Sequence, residues 1–126
     1  MPPEFFLDRN LGRRVAEGLR TCGWTVHRIV DVFPDDGQDV EEWIAHGLDR
    51  SWVPLSKDGR IKTRDLEIQP VLERKAVLFY LDNQQLRTTE MIERLVARRD
   101  AIHRAVENGG PAAYAVRSDR IERTWP

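Results

Sequence analysis

Cysteine is nearly absent from this sequence: Cys22 is the only one in 126 residues. That excludes an intramolecular disulfide and a cysteine-based zinc cluster, and it makes a reducing cytoplasm the expected location. Histidine is also sparse. His27, His46 and His103 lie far apart, no two at a metal-ligand spacing, and each is read as a packing or surface residue. Long apolar runs are missing too. The longest covers residues 76–81, too short to cross a bilayer, and the opening Met1-Pro2-Pro3-Glu4 lacks the charged and then apolar pattern of a leader. No membrane contact is expected. Neither charge sign is in excess: 20 basic against 21 acidic residues leave a net charge of -1, so composition alone does not announce a nucleic-acid binder. There is no repeat and no low-complexity tract. What is present is 40% hydrophobic residues in a chain of one-domain length, enough for a single domain over residues 1–126 with its own core.

The balanced total hides segregation along the chain. Residues 31–49 hold seven acids (Asp31, Asp35, Asp36, Asp39, Glu41, Glu42 and Asp49) and no Lys or Arg, whereas Lys57, Arg60, Lys62 and Arg64 crowd residues 57–64. Periodicity gives the frame for these charges. Glu4-Phe5-Phe6-Leu7 is a short apolar strand ending at Asp8, with Asn10 the expected N-cap of a helix whose stripe is Leu11, Val15, Leu19 and Cys22, and which Gly23 stops. Residues 24–32 read as a second strand, followed by turn chemistry at Pro34-Asp35-Asp36-Gly37. Asp39-Val40-Glu41-Glu42 has the form of a capping box opening a helix on Val40, Ile44 and Leu48. Residues 51–56 read as a strand despite Pro54, and residues 63–75 as a short or kinked helix containing Pro70. The run 76–81 is a strand buried on both faces and ends in Asp82. Thr88 or Thr89 is expected to cap the longest helix, which holds its spacing through Leu95, Ile102 and Val106 until Asn108-Gly109-Gly110-Pro111. Residues 112–116 and 121–125 read as a last strand with a hairpin extension.

Alternating strands and helices with short connections predict an α/β three-layer sandwich. Its mostly parallel five-stranded sheet should have the order 2-1-3-4-5, with strands numbered along the chain, plus the C-terminal hairpin. In such a sheet the crevice beyond the carboxyl ends of strands 1 and 3 is the expected ligand position. Asp8 and Asp58 fall there, joined by Glu41 and Glu42 from the start of the following helix. Carboxylates gathered without a Cys or His pair suit a hard divalent ion, Mg²⁺ or Mn²⁺. If Asp39 caps that helix, Glu42 engages the backbone and Glu41 is the principal ligand of the pair. Asp82 is a candidate fourth carboxylate. Lys57, Arg60 and Lys62 follow at the same rim, where they can grip backbone phosphates, with Lys57 also placed to stabilise a transition state. Trp24, Trp43 and Trp52 are read as core.

The stretches Asp8-Arg9-Asn10-Leu11, Glu41-Glu42-Trp43-Ile44 and Ser56-Lys57-Asp58-Gly59-Arg60-Ile61, with the closing segment 114–125, resemble the PIN-like domains of VapC-type ribonuclease toxins. The resemblance runs over nearly the whole chain. It implies a PIN fold, Mg²⁺ or Mn²⁺ at a carboxylate cluster, and endoribonuclease activity on an RNA substrate. Inhibition by a cognate antitoxin protein follows for toxin members, and a homodimer is the expected self-association. On the matching positions, Asp8, an acid of the Glu-Glu-Trp turn and Asp58 take the metal roles. Val40 stands where an acid is expected before the two glutamates, which is the argument for an alternative, a non-catalytic PIN-like protein-interaction module. A receiver-like phosphoacceptor domain shares the strand order but needs a second acid where Arg9 stands and a lysine where Arg117 stands.

Overall fold

The computed structural model describes residues 2–32, 43–63 and 65–126. Strand β1 (Glu4–Leu7) is followed by a 3₁₀ turn (Arg9–Leu11) and helix α1 (Gly12–Thr21), then β2 (Thr25–Arg28) and a single helical turn, α2 (Ile29–Val32). Helix α3 (Trp43–Asp49), β3 (Trp52–Ser56), a second 3₁₀ turn (Gly59–Thr63), α4 (Asp65–Glu73) and β4 (Val77–Leu81) come next. Helices α5 (Thr88–Ala97) and α6 (Arg99–Asn108) lead to β5 (Ala112–Val116) and β6 (Ile121–Trp125). The six strands form one sheet in the order β2-β1-β3-β4-β5-β6. All neighbours are parallel except β5 and β6, so the expected hairpin extension is the sixth, antiparallel strand.

Strand alternation divides the core into two layers. Phe5 and Leu7 of β1, with Val77, Phe79 and Leu81 of β4, pack on the α1, α5 and α6 side against Val15, Leu19, Leu95 and Ile102. Phe6, Leu78 and Tyr80 face the other way, onto Trp43 and Ile44 of α3 and Ile68 and Val71 of α4. Every residue of β4 is buried, as its unbroken apolar run demands of a strand covered on both faces. Trp24 and Trp43 are core residues, while Trp52 is half-buried and stacks on His27 with ring centroids 3.7 Å apart.

Four expectations from the sequence need correction. The second strand stops at Arg28 because its pairing partner β1 ends at Leu7, and the chain turns helical to bury Ile29. Asn10 does not cap α1. It lies in the 3₁₀ turn, α1 starts at Gly12, and the Asn10 amide crosses to the end of β3. The long helix is two ten-residue helices broken at Arg98 (φ -98°, ψ 8°). Leu95 and Ile102 stay buried on the same side, so the break leaves the apolar spacing intact and invisible to a periodicity argument. Arg87, not a threonine, precedes α5, and Glu90 accepts a hydrogen bond from its N–H at 2.9 Å. The turn at 34–37 and the capping box at 39–42 lie outside the described residues.

Candidate active site

The parallel pairing of β1 with β3 sets Leu7 beside Leu55, and the Asp8 N–H donates to the Leu55 carbonyl at 2.9 Å, extending the ladder by one step. Asp8 and Ser56 are therefore neighbours across the two strand ends. Pro54 does not break this arrangement, because β3 pairs with β1 along its length while its pairing with β4 is confined to Leu55 and Ser56, beyond the missing N–H.

The fully buried Ser56 hydroxyl is the hub of the site. It donates to Asp8 Oδ2 at 2.8 Å and accepts from Asn10 Nδ2 at 3.2 Å and from the Asp58 N–H at 3.0 Å. One donor and two lone pairs are thereby all used. Asn10 Oδ1 accepts from the Lys57 N–H at 3.3 Å, so Asn10 ties the turn after β1 to the loop after β3. Asp58 is nearly buried, and its carboxylate is held by its own loop: Oδ1 accepts from the Arg60 N–H at 3.0 Å and from Arg60 Nε at 2.9 Å, and Oδ2 accepts from Arg60 Nη2 at 3.3 Å.

Burial pushes the Asp8 carboxyl above its ordinary pKa, the negative charges of Glu67 and Asp58 push it further, and the Ser56 hydroxyl and Arg9 N–H oppose the shift. Three carboxylates thus share one electrostatic neighbourhood at the predicted crevice. The donor set is oxygen only, which fits a hard divalent ion and no thiophilic one. Among the described residues no three His, Cys, Asp or Glu side chains are close enough to hold an ion by themselves. Glu41 and Glu42, the other two acids expected here, lie outside the described residues.

The basic rim is distributed differently from the sequence expectation. Arg60 is engaged with Asp58, and Lys62 Nζ donates to Tyr80 Oη at 3.0 Å. That phenol also shares a hydrogen bond with Thr124 Oγ1 at 2.8 Å, anchoring the loop to β6. Lys57 is half-buried beside the hub, its side-chain amine without a hydrogen bond or ion pair among the described residues. Arg28 is in the same condition. It ends β2 next to Leu7 and, with Asp8, Arg9 and Gly12, lines a cavity of about 20 Å³, room for one water-sized group. Asp82, the candidate fourth carboxylate, is held by two arginines: its two oxygens accept from Arg94 and Arg117, and Arg117 also pairs with Glu122 at 2.7 Å.

Sequence reasoning placed Asp8 and Asp58 together but missed Asn10, Ser56, Glu67 and Arg28 as neighbours of the carboxylates. A signal existed for Ser56, a polar residue in an apolar strand two positions before Asp58. None existed for Glu67, whose relation to Asp8 depends on how α4 packs.

A family model described as PIN like domain matches residues 3–83, a stretch that runs from β1 through the end of β4 and so contains each of these site residues. A Mycobacterium tuberculosis protein named "Putative ribonuclease VapC45" is 30% identical over 122 residues, 94% of this chain and 88% of that protein. No solved structure matches the chain. With the parallel sheet, the two carboxylates at the ends of β1 and β3, and matches covering both, the chain belongs to the VapC-type PIN-like domain family.

Proposed function

We propose that the protein is a metal-dependent endoribonuclease, the toxin of a toxin-antitoxin pair, which hydrolyses RNA phosphodiesters at a Mg²⁺ or Mn²⁺ site between Asp8 and Asp58. The observation that carries this reading is the buried Ser56 hydroxyl, which binds the Asp8 carboxylate and the Asp58 backbone at once. A loop and a strand end tied together by one fully used hydroxyl hold their carboxylates in fixed relation, which is what an ion-binding pair requires. A bound ion would polarise the phosphate and lower the pKa of a water near neutral pH. Asp8 and Asp58 serve as ligands, with Glu41 as the further principal carboxylate and Glu42 beside it, as the sequence argument assigns them. Ser56 and Asn10 orient the ligands. Lys57 and Arg28, the rim cations without partners among the described residues, grip the substrate phosphates, joined by Arg60 and Lys62 when RNA is bound.

The name of the mycobacterial relative supports ribonuclease chemistry, and the family's toxin members support a cognate antitoxin as partner. The reading takes residues 1–126 as one domain acting in the cytoplasm, with a homodimer as its assembly. No described helix is long and apolar enough to cross a membrane. A non-catalytic interaction module is the second reading, and the Arg60 pair that already matches the charge of Asp58 favours it. The experiment is cleavage of a labelled single-stranded RNA under Mg²⁺, Mn²⁺ or chelator. Cleavage that needs either ion is expected. No cleavage under any condition, together with no stabilisation by millimolar ion, points to the interaction module.

A further inference from the structure

The proposed function places Asp58 at an ion and Arg60 at the RNA, yet here the two residues hold each other. Arg60 follows Asp58 by two positions, on the 3₁₀ turn that leaves the site, and its guanidinium reaches both carboxylate oxygens. Among the described residues Arg60 gives the carboxylate three donors, and only one of these is fixed. The Arg60 N–H to Oδ1 belongs to the backbone of the turn, whereas the Nε and Nη2 bonds depend on a side chain that is 69% exposed and free to leave, against 12% for Asp58. Oδ1 already accepts two hydrogen bonds, so its lone pairs are filled and an ion cannot take that oxygen until Nε departs. A divalent charge arriving at the carboxylate also repels a guanidinium at contact distance. An ion pair whose arginine is exposed is easily exchanged, and an arginine beside a bound ion is well shaped for the phosphate that the ion attracts.

We propose that Arg60 is an exchangeable counter-ion: its guanidinium closes on Asp58 in the ion-free protein and is released to the RNA backbone when a divalent ion takes Asp58, so that ion binding switches on part of the RNA affinity. This rests on the ion site proposed above. It makes Arg60 a competitor of the ion and a ligand of the substrate, two roles that one substitution moves in opposite directions.

The test compares wild type, Arg60→Gln, Arg60→Lys and Asp58→Asn, each checked for folding by thermal melting. Mn²⁺ affinity is read from the electron paramagnetic resonance signal of free Mn²⁺. RNA affinity is read by fluorescence anisotropy of a labelled single-stranded RNA of mixed sequence, once in chelator and once in Ca²⁺. Arg60→Gln should bind Mn²⁺ about two- to fivefold more tightly, the range a pair made by an exposed arginine can withhold. In Ca²⁺ it should bind RNA more weakly, with the salt dependence reduced by about one phosphate contact. In chelator its RNA affinity should equal that of wild type. Arg60→Lys, charged but unable to hold both oxygens, should fall between. Unchanged or weaker Mn²⁺ binding in Arg60→Gln, with wild-type binding still dependent on Asp58, overturns the exchange alone. An equal loss of RNA affinity in chelator and in Ca²⁺ also overturns it, because Arg60 would then grip RNA whatever the state of Asp58. Wild-type Mn²⁺ binding that ignores Asp58→Asn removes the ion site and this proposal together.

Discussion

Replacing Ser56 with Ala deletes a single, fully buried oxygen and tests whether the site is built as described. Three hydrogen bonds disappear: the one given to Asp8 Oδ2 at 2.8 Å, and those received from Asn10 at 3.2 Å and from the Asp58 N–H at 3.0 Å. The bond to the carboxylate is charge-assisted and contributes about 1.5–3 kcal/mol, the neutral ones about 0.5–1.5 kcal/mol each. They share one atom and are not additive, so the net loss is about 2–4 kcal/mol, or roughly 6–16 °C in Tm for a chain of this length. The loss should also depend on pH. Burial holds the Asp8 carboxyl above its ordinary pKa, and Ser56 opposes that shift. A carboxyl whose folded pKa exceeds the unfolded one binds more protons in the folded state. Its contribution to stability is therefore largest at acid pH and is lost as pH rises through the folded pKa. Without Ser56 the folded pKa climbs further, so the gap in Tm between wild type and variant must widen from acid to neutral pH. Thermal melts followed by circular dichroism between about pH 4 and pH 8 measure this, on either side of the ordinary carboxylate range. A gap that is flat with pH, or a loss below about 0.5 kcal/mol, refutes the hub.

Other substitutions probe the surroundings. A Cβ on Gly59 would sit 2.8 Å from Tyr80 Cε2, and that ring is tethered by Lys62 and Thr124, so Gly59→Ala should cost about 1–3 kcal/mol in Tm measurements. Asp82→Asn removes the charge that Arg94 and Arg117 share and should lower stability by on the order of 1 kcal/mol while leaving Mn²⁺ affinity at the wild-type value. A loss of Mn²⁺ affinity there would return Asp82 to the ion site. Glu41→Gln should reduce ion-dependent cleavage by orders of magnitude, whereas Glu42→Gln should cost mainly stability, about 1 kcal/mol or less. The reverse pattern of turnover and Tm would exchange their roles.

The sheet was legible because apolar alternation and the buried run 76–81 leave few other places for those residues. The carboxylate pair was legible because topology brings the ends of β1 and β3 together whatever their side chains. Details that depend on a partner across space were not. Asn10 has the local chemistry of a helix cap, and only the neighbouring end of β3 gives its amide a better use. Arg60 reads as a phosphate-binding cation in a basic stretch, but the 3₁₀ turn that begins at Gly59 folds it back onto Asp58. Asp82 resembles the other strand-ending acids, and what separates it is Arg94 and Arg117, 12 and 35 positions along the chain.

The most direct test of the account is RNA cleavage in Mn²⁺ by wild type, Asp8→Asn and Asp58→Asn at equal concentrations. Each variant keeps its shape and loses one charge. Asp58→Asn removes a repulsion toward Asp8 together with the pair to Arg60, two opposing effects, so its Tm should stay near wild type. The account predicts that wild type cleaves, that a chelator stops it, and that both variants are inactive while still folded. Full cleavage by a folded Asp8→Asn or Asp58→Asn protein, or cleavage by wild type that persists in chelator, would contradict an ion site built on these two carboxylates.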